Sequence, residues 1–90
     1  MGYTNMIIWD DEKDLKLQVE RNISFSQISE IILKKEYIDL LENPSRSNQQ
    51  IFVVKLNDYI HCVPFLIDDD SNIVLKTAYP SRKLNKKYMG

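Results

Sequence analysis

From Asn72 onward the chain carries five cations, Lys76, Arg82, Lys83, Lys86 and Lys87, and no acid. Tyr79 and Tyr88 frame four of them. Cations gathered at one place suit a phosphate: they hold it and stabilise the charge that develops when it is attacked. Tyrosine beside cations suits stacking on nucleobases. Lys76 interrupts the apolar run "IVLKTAY" (73–79), so its ammonium must reach solvent or a polar pocket. Arg82 and Lys83 follow the Pro80 turn, from which side chains can fold back over a sheet end. Lys86 and Lys87 read equally well as a solvated tail. His61, the only histidine, has two readings. It is a half-buried sheet residue, or a proton carrier or phosphate contact on an open sheet face.

Other chemistries find no support in the residues. One cysteine and one histidine make no zinc site. Gly2 and Gly90 are the only glycines, which removes a phosphate-cradling P-loop and a dinucleotide fingerprint. "DDD" (68–70) lacks the spacing and turn glycine of a calcium loop and reads as a solvated hairpin tip. No serine sits in a nucleophile elbow. Cys62, between Ile60-His61 and Val63, reads as a small buried hydrophobe.

The formal net charge is -1, but it is unevenly spread. Residues 1–50 hold six Lys/Arg against nine Asp/Glu; residues 51–90 hold six against four. A polyanion would therefore meet one face only. Ninety residues, 43% of them hydrophobic, predict a single domain with one modest core. The opening "MGYTNMIIWD" lacks a basic n-region, and no stretch approaches membrane-spanning length. With no intramolecular disulfide possible from one cysteine, a cytoplasmic protein with no membrane partner is expected.

The elements that must position these residues follow from local signals. "MIIW" (6–9) predicts a short strand, and "DDEKDLKLQVER" a helix capped by Asp10 or Asp11, with Leu15 and Val19 on one face. Asn22 predicts a left-handed stop. Ser24 and Gln27 form a capping box, Ile23 and Ile28 a hydrophobic staple, and Phe25, Ile28, Ile31 and Ile32 line one face of a second helix. "YIDLLE" predicts a short strand and Asn43–Gln50 a loop. Strands 51–56, 59–67 and 73–79 then form a meander, with Asn57-Asp58 as a two-residue hairpin turn. Pro64 predicts a bulge or a local end of pairing, because proline donates nothing to a ladder. "SRKLNKKYM" predicts a last helical turn capped by Ser81. The sum is an α+β fold: two helices on one face of an antiparallel sheet, the other face open.

"WDDEK…ERNISF", then "IFVV", "VPFL" and a terminal "PSRKLNKKY", resembles the BrnT-type toxins of bacterial type II toxin–antitoxin pairs. That family opens with Trp-Asp-x-x-Lys, turns a corner at Lys-His-Gly-(Val/Ile)-Ser-Phe and closes with a Ser-Ala-Arg-Lys…Tyr-like motif. Trp9, Asp10 and Lys13 match the opening, Ile23, Ser24 and Phe25 the corner, and Arg82-Lys83 the close. Asn22 stands where the family has glycine and Arg21 where it has histidine. The family's arginine near Gln49-Gln50 is missing, Arg46 being the nearest, and Lys76 loosely matches its last-strand arginine.

The resemblance implies a RelE-like fold and a metal-independent, cofactor-free endoribonuclease that inhibits translation. It implies a ribbon-helix-helix antitoxin as partner, with DNA reached only through that antitoxin. In this reading Lys76 and Arg82 hold the scissile phosphate, and His61 or Tyr79 moves a proton or positions the ribose 2′-hydroxyl. Lys83, Lys86, Lys87, Arg46 and Tyr79 bind the flanking RNA. Two other functions stay open: a partner-binding module without nuclease activity, and a small protein that binds nucleic acid without cutting it.

Overall fold

The computed structural model describes residues 6–89. Helix α1 (Asp11–Arg21) starts at Asp10, whose Oδ1 accepts the N–H groups of Glu12 and Lys13 at 2.8 and 3.4 Å. Asp11, Glu12 and Asp14 meet the positive end of the helix dipole. The helix stops at Asn22, which is left-handed (φ 56°, ψ 37°). Helix α2 (Phe25–Leu33) opens almost at once with the expected capping box. The Gln27 N–H donates to Ser24 Oγ at 3.2 Å, and the Ser24 N–H donates to Gln27 Oε1 at 3.3 Å. Asp14 clamps the corner. One of its oxygens accepts the Phe25 N–H at 2.8 Å, and the other accepts Gln18 Nε2 at 3.1 Å.

The strands are β1 (Ile7–Ile8), β2 (Asp39–Glu42), β3 (Gln50–Leu56), β4 (Tyr59–Ile67), β5 (Ile73–Leu75) and β6 (Tyr79–Pro80). They form one sheet in the order β1-β5-β4-β3-β2, with β6 also paired to β4. The β3–β4 hairpin closes at Leu56 and Tyr59 over Asn57 (φ 51°) and Asp58 (φ 61°). Positive φ at both turn residues is what a two-residue hairpin needs to match strand twist. The sheet is mixed rather than antiparallel throughout: β1 runs parallel to β5, pairing Ile7 with Ile73 and Ile8 with Val74. A parallel neighbour requires a crossover, and here that crossover is nearly the whole chain.

Alternation gives the sheet two faces. Phe52, Val54, Leu56, Val63 and Phe65 form one buried cluster with Leu17 of α1 and with Phe25, Ile28 and Ile32 of α2. Phe52 stacks on Phe65 at 4.3 Å between ring centroids. The other face, with Val53, Ile60 and Cys62, is not open as expected. Helix α3 (Arg82–Met89), a two-turn helix rather than a single turn, lies across it. Asn85 Oδ1 accepts the Ile60 N–H at 3.0 Å, and the Tyr88 hydroxyl donates to Asp39 Oδ2 at 2.7 Å. Ser81 caps α3 as expected, its Oγ accepting the Leu84 N–H at 3.2 Å.

The inward face of α1 differs from the one its apolar spacing predicts. Leu15 and Val19 are 61% and 84% exposed, and α1 buries Leu17 instead. No described helix is long and apolar enough to cross a membrane.

Candidate functional site

Pro64 sets the geometry of the site. Counting from the hairpin closure, the β3–β4 pairs alternate between hydrogen-bonded and open, and Ile51–Pro64 falls on an open pair. The missing N–H therefore costs the β3 ladder nothing and faces the other edge of β4. On that edge His61 and Cys62 pair with β6, while residues 65–67 pair with β5. Between them the chain makes one backbone hydrogen bond to β4, Lys76 N–H to the Pro64 carbonyl at 2.9 Å. The segment 76–78 thus leaves the ladder between β5 and β6, as the proline predicted.

That departure opens a groove of about 410 Å³. Pro64, Lys76, Thr77 and Tyr79 line it from the sheet, Asn43, Ser45, Arg46 and Gln49 from the β2–β3 loop, and Lys13 from α1. The loop is fixed by its own bonds: Asn43 Oδ1 accepts the Ser45 N–H at 2.9 Å, and Asn43 Nδ2 donates to Gln49 Oε1 at 3.2 Å. Three cations and no acid line this groove. The described residues form two ion pairs, Lys34–Glu30 and Lys55–Asp58, and neither involves a groove cation.

A second groove of about 240 Å³ adjoins the first, sharing Lys13, Thr77 and Tyr79. Its other wall is α1, through Lys16, Leu17, Glu20 and Arg21. Tyr79 stands at the junction, 39% exposed. Burial raises its phenol above the ordinary value, and the neighbouring Cys62 thiol adds to the effect. Burial likewise pushes the Cys62 thiol up, against smaller opposing effects of the Ser81 and Tyr79 side chains. At neutral pH Tyr79 keeps its proton and is a hydrogen-bond donor.

Of the residues expected at the site, Arg46, Lys76 and Tyr79 come together. His61 does not join them. It faces with Val54 on the α1–α2 side of the sheet, is 6% exposed, and its Nδ1 lies 2.9 Å from the Tyr59 carbonyl, to which it donates. It belongs to the core and has no open face on which to carry a proton. Arg82, Lys83, Lys86 and Lys87 do not line the groove either. Leu84, Asn85 and Tyr88 share the sheet-facing side of α3, so the four cations point outward and are exposed. Lys87 Nζ stands 5.2 Å from the Tyr88 ring centroid. Arg82 therefore does not fold back over the sheet. In its place stands Lys13, which only the resemblance had singled out.

A further recess, about 500 Å³, is at the hairpin end of the sheet, between α2 and Asn57. Lys34 and Lys55 there are balanced by Glu30 and Glu36, so it has no preference for either sign of ligand. Comparisons with models of protein families, with characterised proteins and with solved structures give no match for the chain.

Proposed function

We propose that this chain is a RelE-like toxin of a type II toxin–antitoxin pair, an endoribonuclease that inhibits translation and is held in check by a ribbon-helix-helix antitoxin. One observation carries the reading. Lys13, Arg46 and Lys76, in no ion pair among the described residues, line one groove with Tyr79, and no acid lines it. In an acidic chain such a place suits a phosphodiester. Lys76 and Arg46 hold the non-bridging oxygens and stabilise the charge of the transition state. The ribose 2′-oxygen bonds to phosphorus and the P–O5′ bond breaks. The 2′-hydroxyl proton leaves to solvent while Tyr79 donates its proton to O5′. The products end in a 2′,3′-cyclic phosphate and a 5′-hydroxyl.

The test is incubation of the purified protein with end-labelled single-stranded RNA in the presence of EDTA. Cyclic-phosphate ends that disappear in Lys76→Ala support the reading. Intact RNA, together with normal growth of cells expressing the chain without an antitoxin, overturns it. The burial of His61 favours a second reading, in which the groove binds RNA without cutting it, because no histidine reaches the phosphate. Retention of intact RNA by the same preparation identifies that case.

A further inference from the structure

We infer that the stripe Lys13, Lys16, Glu20 and Arg21 on α1 is a second phosphate track, carrying the strand that enters or leaves the Pro64 groove past Tyr79. The inference rests on the polyanion reading of that groove. These positions follow the spacing i, i+3, i+7, i+8, so they share one helical side with Leu17 at i+4. Leu17 is buried in the core, which fixes the rotation of the helix and turns this side toward residues 77–79. The result is a continuous path. Arg46 and Lys76 stand at one end, Tyr79 and Lys13 belong to both grooves, and Lys16 and Arg21 stand at the other.

Among the described residues the stripe's cations have no ion-pair partner. Glu20 is the only acid among the residues lining either groove. A solvated helix face of ordinary design sets acids and bases four residues apart to pair. Here Lys16 and Glu20 have that spacing and do not form a bridge. A chain of phosphates spanning both grooves meets cations throughout. A single phosphodiester fills only the first.

The length dependence gives the test. Binding of a dinucleotide and of a hexanucleotide is measured by fluorescence anisotropy across a salt series, for the wild type and three variants. Lys16→Gln/Arg21→Gln is expected to weaken the hexanucleotide about tenfold and to lower the salt slope by about 0.7 for each contact removed. It leaves the dinucleotide unchanged. Glu20→Gln tightens the hexanucleotide. The control Lys34→Gln/Lys55→Gln removes the same charge from the hairpin end and changes neither ligand. Equal losses in the control, or equal losses for both ligand lengths, overturn the track while leaving the proposed function standing. Failure of the wild type to bind either oligonucleotide overturns both.

Discussion

The molecule has two basic regions, built in opposite ways. On α3, Arg82, Lys83, Lys86 and Lys87 are neighbours in sequence, and the helix turns them outward because Leu84, Asn85 and Tyr88 face the sheet. In the grooves, Lys13, Lys16, Arg21, Arg46 and Lys76 come from α1, the β2–β3 loop and the segment beyond β5, and only the fold unites them. The first region is a charged surface on a convex helix. The second is a concave site where cations surround a common volume. Concavity is what concentrates field on a ligand and excludes the water that would screen it. A cluster conspicuous in the sequence is thus the weaker candidate for chemistry, and the scattered set the stronger.

Charge deletion is the most demanding check on that contrast. Lys76→Ala or Arg46→Ala should lower the rate of RNA cleavage by about 10²–10³-fold, as loss of a preorganised transition-state donor does. Arg82→Ala or Lys86→Ala should change it less than about threefold, as a loss of remote steering does. Rates from gel-resolved time courses decide, and equal losses in both regions would erase the distinction. Asn85→Ala strips the Ile60 N–H of its acceptor and should cost about 1–3 kcal/mol in denaturant unfolding. Ser81→Ala removes the cap of α3 and should cost about 1 kcal/mol in the same assay. Both should leave the affinity of the folded protein for a dinucleotide intact if α3 is support rather than site.

The smallest effect is a pH dependence confined to α3. The hydrogen bond from Tyr88 holds the Asp39 carboxyl below its ordinary value, helped by the Leu40 N–H and Lys87. A carboxyl depressed in the folded state stabilises it above the unfolded value and ceases to do so as pH falls through the folded one. The anchoring of α3 should therefore be complete above about pH 4 and weaken in more acidic solution. The Tyr88 ring resonances should report this by NMR, and Tyr88→Phe should abolish it. A matching change in the resonances of Thr77 would contradict the independence of the two regions.

Local signals carried the elements well. The Asp10 cap, the Asn22 stop, the Ser24–Gln27 box and the Asn57-Asp58 turn all depend on residues close in sequence, and all are where their chemistry puts them. The departures share one physical cause. Reading α1 by its apolar residues selected Leu15 and Val19, yet the inward side of α1 is largely charged because it looks across a groove rather than into the core. The spacing of Lys13, Lys16, Glu20 and Arg21 about Leu17 held that information. His61 shares its side of β4 with Val63 and Phe65 by alternation, but which sheet face the helices cover is settled by tertiary packing alone.

The pairing of Ile7 and Ile8 with Ile73 and Val74 has a consequence for synthesis. A ribosome adds about 5–20 residues each second, so the partners of β1 emerge several seconds after β1 itself. Lys13 and Lys76 wait for one another over the same interval, and the hairpin of β3 and β4 can close first. A nascent chain is thus without its assembled groove until Lys76 has emerged. If the groove acts on RNA as proposed, that delay separates being made from being active.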